Sequence, residues 1–179
     1  MNLEYNDIDE ITENIYLGNL CGAGNIDLLK KLGIKKVLSL LEEFGWPKYD
    51  ESDNFIHKAL KIQDSDRENI IKYFGECFDF IKGEDKILVH CAAGASRSAT
   101  VVIAYIMFIK KMSYKDALEF VRNKRFVVYP NYGFRDQLQV FEKELIEKNY
   151  DIDKIKFQEI KWEPKDYYAE KINEMLKNK

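Results

Sequence analysis

The chain has 179 residues, 46% of them hydrophobic and 33% charged, with a formal net charge of -3 at pH 7. That length fits one ordinary domain and not two, and the composition excludes a disordered or membrane-embedded chain. The small net charge supplies no electrostatic pull toward nucleic acid or an anionic membrane surface, so neither is expected as a partner.

The first residues, Met1 to Glu13, are partly acidic and show no apolar signal stretch, and with Asn2 in second place neither a signal peptide nor a myristoyl anchor is expected. The cysteines, Cys21, Cys77 and Cys91, are odd in number and lack metal-type spacing. A disulfide framework or a zinc site is therefore not expected, and the compartment is expected to be reducing, cytoplasmic or nuclear. Tyr16-Leu17-Gly18 closes a short extended segment, and Ile26 to Leu32 reads as an amphipathic helix stopped by Gly33. Val37 to Leu41 predicts a buried strand, Glu42 to Asn54 a surface loop, and Phe55 to Ile62 a second strand. Ser65 and Glu68 have the spacing of a capping box and predict a helix that starts there. Its apolar stripe is Ile70, Ile71, Phe74, Cys77, Phe78 and Ile81, and Gly83 ends it. Lys86 to His90 is an aliphatic strand, followed by the small-residue loop Cys91 to Ala95 and a helix from Ser98. The apolar run Ala99 to Ile109 is shorter than the ~20 residues that span a bilayer, so it predicts a buried helix. Ser113 with Asp116 opens a further helix through Val121, and Phe134, Leu138, Phe141 and Leu145 mark another. Strands alternating with helices predict an α/β fold with a central mixed, mostly parallel sheet flanked by helices, its functional loops at the carboxyl ends of the strands.

The pattern changes near Asn149. Ile155, Phe157, Ile160 and Trp162 alternate among charges, and beyond Pro164 Tyr168, Ile172, Met175 and Leu176 share one helical face. Residues 1–148 are expected to form the domain, and 149–179 an extension that packs on it or serves as a docking or dimer-forming arm. The oligomeric state is not legible.

The chemistry concentrates in His90-Cys91-Ala92-Ala93-Gly94-Ala95-Ser96-Arg97-Ser98. A cysteine at the end of a buried strand, before a small-residue loop and a helix start, places backbone N–H groups around one anion site. The same field stabilises a thiolate, so Cys91 is expected to be ionised at neutral pH. Arg97, on the first turn, can return its planar fork over the loop to hold two oxygens of a tetrahedral anion. A cysteine protease would need a histidine base, and His90, adjacent to the cysteine, is better placed to brace the loop.

The nonamer His-Cys-x-x-Gly-x-Ser-Arg-Ser resembles the phosphate-binding loop of the dual-specificity protein phosphatases. The resemblance extends through Tyr16-Leu17-Gly18, Tyr73-Phe74, Phe80-Ile81 and Ala104-Tyr105 to Pro130-Asn131-Tyr132-Gly133-Phe134 and Gln137-Leu138, about Ile11 to Leu145. It implies hydrolysis of phosphotyrosine and phosphoserine/threonine on protein substrates, through a phosphocysteine intermediate and with no metal or other cofactor. Cys91 would be the nucleophile, and Ala92, Ala93, Gly94, Ala95, Ser96 and Arg97 would hold the phosphate. Ser98 would donate to the departing sulfur, and Asn131 would hold the loop in shape. Matched through Tyr73-Phe74, Asp64 takes the general-acid position. Asp66 is instead accounted for by the dipole of the helix expected from Ser65. Lysines of the kind found in phosphoinositide phosphatases are absent from the variable loop positions, which favours a phosphoprotein. A binding module without turnover is disfavoured because Cys91, Arg97 and Asp64 are all present.

The remaining candidates have plain readings. Cys21 and Cys77 are expected as packing residues, and His57 as a strand residue without catalytic duty. Arg122, Lys124 and Arg125 are expected as a solvated helix end, although Arg125 lies near a position where some relatives contact a second phosphate. Trp46-Pro47 is a loop feature and not a Trp-Pro-Asp acid loop, since Lys48 follows.

Overall fold

A computed structural model describes residues 6–42, 46–167, 169 and 176–177. Five strands form one sheet: β1 (Ile8–Glu10), β2 (Ile15–Gly18), β3 (Lys36–Leu41), β4 (Ile56–Lys61) and β5 (Ile87–His90). Their order is β1-β2-β5-β3-β4, and only the edge pair β1 and β2 is antiparallel. The expected mixed, mostly parallel sheet is therefore the one found. β5 is central and buried along its whole length, which is why it reads as an unbroken aliphatic run ending in a single polar residue. That residue, His90, is registered against Gly18 of β2 and Ser39 of β3.

One face carries α1 (Leu20–Gly24) and α2 (Ile26–Leu32), packed over Tyr16, Val37 and Leu88. Asn25 caps α2 by accepting from the Leu28 amide at 3.0 Å, and Gly33 ends it at φ 75. The other face carries α3 (Phe74–Ile81), α4 (Arg97–Lys110), α5 (Tyr114–Lys124) and α6 (Tyr132–Glu147). α4 packs on β2, β3 and β5 and is flanked by α3, α5 and α6. Surrounded in this way, it is apolar on nearly every side. Each fully buried aliphatic or aromatic side chain in such a layer contributes about 1.5–3 kcal/mol. Among the described residues no helix is long and apolar enough to cross a membrane.

The helix expected from Ser65 does not start there. Residues 65–70 form a turn, Ile71–Tyr73 a single 3-10 turn, and α3 begins only at Phe74. The Ser65 hydroxyl accepts from the Arg67 amide at 3.2 Å, and Glu68 turns back to the Gln63 amide at 3.5 Å. Buried Gln137 of α6 bridges the segment, accepting from the Ile71 amide at 3.0 Å and donating to the Glu68 carbonyl at 2.8 Å. A long-range side chain thus takes the backbone groups that a helix through this stretch would have used. The expected stripe is buried all the same.

The loop before β4 carries a 3-10 turn at Glu51–Asp53, and Tyr49 donates to the Ala23 carbonyl at 2.7 Å. Cys77 is buried and its thiol is pushed well up by that burial, whereas Cys21 is exposed and so departs from the packing role expected for it. Residues 149–167 return along α6. Ile155 and Ile160 are buried, and Phe157 packs on Phe78 and Phe141. Asp136 accepts from Trp162 Nε1 at 3.0 Å and pairs with Lys165 at 2.6 Å, and the Tyr167 ring stacks on Tyr132 at 5.9 Å. Of the helical face expected beyond Pro164, Tyr168, Ile172 and Met175 lie outside the described residues.

Candidate active site

The loop from Cys91 to Ser96 joins β5 to α4, and its backbone is fixed from outside. His90 Nδ1 lies 3.3 Å from the Cys91 carbonyl, and the Leu20 amide donates to the Ala92 carbonyl at 3.1 Å. Arg125 donates from Nη2 to the Ala93 carbonyl at 3.2 Å and from Nε to the Gly94 carbonyl at 2.9 Å. The Tyr129 amide donates to the Ala95 carbonyl at 2.8 Å. The Ser96 carbonyl accepts from the Thr100 amide and from Thr100 Oγ1, each at 2.8 Å. All of these peptides are trans, and a trans peptide points its N–H opposite to its C=O. Carbonyls drawn outward therefore turn the amides of Ala92 through Arg97 inward, and none of those amides donates to another group among the described residues. The loop can close this way because Gly94 sits at φ 65 with its backbone against Gly18; a Cβ there would lie 2.4 Å from the Gly18 carbonyl oxygen.

Inside that ring of amides sits Cys91, 1% exposed, with Ser98 Oγ donating to its Sγ at 3.1 Å. The amino end of α4 adds its dipole to the same spot. Arg97 is buried, and its Nη1 donates to the Ile62 carbonyl at 3.2 Å. Its Nε, also buried, makes no hydrogen bond among the described residues and lies 3.7 Å from Asp64 Oδ2. The arrangement combines amides, a helix terminus and one guanidinium, a donor set suited to a tetrahedral oxyanion beside a thiol.

Asp64 reaches this ring from the loop after β4. Its Oδ1 accepts from Ser96 Oγ at 2.7 Å and from Asn131 Nδ2 at 2.9 Å. Asn131 also caps α6 through Oδ1, which accepts from the Phe134 amide at 2.9 Å, and its own amide donates to Ser96 Oγ at 3.2 Å. The side chain of Asn131 thus holds the loop that carries Asp64, while its backbone holds the loop from Cys91 to Ser96. Asp66 lies elsewhere and accepts from the Gly133 amide at 3.4 Å. A helix amino end does account for it, but that of α6 and not of a helix starting at Ser65.

His90 is fully buried, and burial pushes its imidazole down to about 4. The bond to the Cys91 carbonyl opposes that shift, while His57 and Arg97 add to it. Its Nε2 lies 2.6 Å from Ser39 Oγ, which lies 2.8 Å from His57 Nε2. His57 is the strand residue expected, and through Ser39 it is connected to the loop. Arg125 departs further from expectation. It is 1% exposed and, besides its two loop carbonyls, its Nη1 donates to the Asn6 carbonyl at 2.8 Å and pairs with Asp9 at 2.6 Å. Arg122 likewise donates inward, to the Val128 carbonyl at 2.9 Å. Only exposed Lys124 fits the solvated helix end. Ser39, the one polar residue in the buried run Val37–Leu41 of β3, was the sequence signal for the histidine chain. Arg125 offered none beyond its place at the end of α5.

The sequence profile of the dual specificity phosphatase catalytic domain matches residues 15–144. The chain belongs to this family. Dual specificity protein phosphatase 1B of Arabidopsis thaliana is 38% identical over 143 residues, which cover 78% of this chain and 84% of that protein. Human dual specificity protein phosphatase 4 is 33% identical over 141 residues, covering 76% of this chain and 35% of the longer protein. Among solved structures, the human tyrosine phosphatase-like serine/threonine/tyrosine-interacting protein superposes with a TM-score of 0.73 at 37% identity, over 78% of this chain and 97% of that one. The crystal structure of DUSP15 does so with a TM-score of 0.69 at 29% identity, over 79% of this chain and 96% of that one. The chain is therefore a protein phosphatase of the dual-specificity class, a phosphoric monoester hydrolase whose substrates are phosphoproteins.

Proposed function

We propose that Cys91, Arg97, Asp64 and Ser98 carry out hydrolysis of phosphotyrosine and phosphoserine/threonine in two displacements. The Cys91 thiolate attacks phosphorus as the P–O bond to the substrate oxygen breaks, and Asp64 gives its proton to that oxygen. The amides of Ala92 through Arg97 and the Arg97 fork hold the remaining phosphoryl oxygens as charge develops on them. Water then attacks the phosphocysteine, Asp64 takes up the water proton, and the P–S bond breaks to return the thiolate, stabilised by the Ser98 hydroxyl. Both hydrogen bonds to Asp64 fall on Oδ1, which leaves Oδ2 to carry the proton.

The observation that carries this reading is the outward fixing of successive loop carbonyls around a buried thiol, with the buried Arg97 Nε making no hydrogen bond. The loop positions Ala92, Ala93 and Ala95 add no charged side chain, which favours a singly phosphorylated protein residue over a polyphosphorylated lipid. The domain is assigned to residues 1–148, with 149–179 as an extension, and the three free cysteines suit a reducing compartment, cytoplasmic or nuclear. The test is turnover of phosphotyrosyl and phosphothreonyl peptides beside phosphoinositides, with Cys91→Ser in parallel. Peptide hydrolysis lost in Cys91→Ser is expected; preference for the lipid, or turnover without the thiol, would overturn the assignment.

A further inference from the structure

The chain His57–Ser39–His90 crosses three adjacent strands, β4, β3 and β5, and ends on the carbonyl of Cys91. Its contacts are 2.8, 2.6 and 3.3 Å, and Ser39 and His90 are fully buried. Only one arrangement of protons satisfies all of them. The Cys91 carbonyl can only accept, so His90 Nδ1 carries the proton. Buried and neutral, His90 then has a bare Nε2, which must accept from the Ser39 hydroxyl. Ser39 has a single proton to give, so it must accept in turn from His57 Nε2–H. The opposite polarity would leave the bare His90 Nδ1 lone pair facing the carbonyl oxygen.

We propose that Ser39 and His57 are positioning residues for the phosphate loop: together they fix the His90 proton on Nδ1, which ties the Cys91 carbonyl outward and turns the Ala92 amide toward the thiol. The inference rests on Cys91 being the reactive thiol. The carbonyls of residues 92–95 are held by backbone amides or by the rigid Arg125 fork. That of Cys91 depends on an imidazole whose proton could sit on either nitrogen. The Ser39 bond removes that freedom, and His57 decides which way the Ser39 proton points.

The groups facing this chain are few. Tyr49 meets His57 edge-on at a centroid distance of 5.0 Å from the loop before β4, and Cys91 and Arg97 lie beside His90. Among the described residues no carboxylate pairs with either imidazole, so the serine alone sets their polarity.

The chain contains 2 histidines, so nitrogen NMR of the histidine-labelled full-length protein reads both tautomers without ambiguity. The expected result is a proton on Nδ1 of His90 and on Nε2 of His57. Cys91 reactivity is the second readout, followed as the iodoacetamide alkylation rate of the Cys91 peptide by mass spectrometry, which separates it from Cys21 and Cys77. Ser39→Ala is expected to lower the ratio of the rates at pH 6 and pH 8 by about two- to sixfold, the change that one unit in the thiol's ionisation gives across that window. His57→Phe, which keeps a ring against Tyr49 but has no donor, shifts the ratio in the same direction. His57→Gln restores an N–H for Ser39 and returns the ratio toward wild type. His90 protonated on Nε2 in the wild-type protein, or an unchanged ratio in both Ser39→Ala and His57→Phe, would overturn the proposal. Neither readout needs turnover, so a failure of the catalytic assignment would show separately, as absent phosphatase activity.

Discussion

Replacing Arg125 tests whether the phosphate loop is held from outside or stands by itself. The guanidinium is 1% exposed and supplies donors to the carbonyls of Ala93, Gly94 and Asn6 as well as to the Asp9 carboxylate. Arg125→Leu strands that carboxylate and three carbonyls, and breaking a buried pair costs about 3–5 kcal/mol, a large share of the roughly 5–15 kcal/mol that stabilises a domain. At about 2–4 °C per kcal/mol for a chain of this size, the melting temperature should fall by about 10 °C. Freed carbonyls also let the Gly94 and Ala95 amides turn away from the anion, and losing a single such donor costs about 100-fold or more in turnover. Arg125→Lys separates the two effects. The ammonium can still pair with Asp9 but cannot span two adjacent carbonyls as a fork does. Most of the stability should therefore return, while kcat/KM on a phosphotyrosyl peptide stays at least about 10-fold down. Thermal unfolding and steady-state kinetics on the same preparations decide it. Wild-type kcat/KM in Arg125→Lys would show that the fork does not hold the loop.

Asp64→Asn should slow alkyl phosphates, whose leaving oxygen needs the proton, by about 100-fold, and activated aryl phosphates much less; equal slowing of both would place Asp64 in a role other than acid. The stability of the protein should fall in acid partly through His90. Its ionisation is depressed from 6.5 to about 4 in the folded state, so as pH drops through that window the unfolded chain takes up the proton first. The loss amounts to about 3 kcal/mol by pH 4, and His90→Asn should remove this part of the slope in urea unfolding between pH 7 and 4; an unaltered slope would mean that His90 is not the titrating group. At Gly133 an added Cβ would lie 2.1 Å from the backbone oxygen of Asp66. Gly133→Ala should therefore push the acid loop off α6 and lower both melting temperature and turnover, whereas a variant with native kinetics would show that the loop can shift without moving Asp64.

Much of this was legible because the decisive groups are close in sequence. His90 to Ser98 sits on one strand, loop and helix, and its residue types state their chemistry together. The aliphatic runs of β3, β5 and α4 follow from burial on all sides, and the 3.6-residue stripes of α3 and α6 from burial on one. What stayed hidden was decided by partners far along the chain. The Ser65 capping box lost to Gln137, a buried amide 72 residues later, which no local propensity describes. Arg125 sits among basic residues at a helix end, where solvation is the plain expectation, and only the tertiary fold places it between β1 and the loop. His57 and Ser39 carry no motif, and their link to His90 follows from strand register, which periodicity does not fix.

The alanines of the loop fit this division of labour. With Ala92, Ala93 and Ala95 contributing no polar side chain, the proposed anion site is left to main-chain amides and the Arg97 fork, and those amides face inward only while their carbonyls are engaged elsewhere. The engaging groups come from Leu20, from His90 at the end of β5, and from Arg125 and Tyr129 in the connection between α5 and α6, so three parts of the chain fix the loop. A loop without charged side chains at these positions offers, on the proposed reading, little basis for choosing among phosphoryl groups. Choice then falls to the surface beside it, where Tyr129 and Tyr132 flank Asn131 and Arg135 stacks its guanidinium on the Tyr129 ring at 3.9 Å. Both tyrosine rings are exposed, and the Tyr129 amide is itself an anchor of the Ala95 carbonyl. A substrate side chain that packs on Tyr129 therefore touches a residue whose backbone sets the loop, which ties recognition at the rim to the geometry of the anion site.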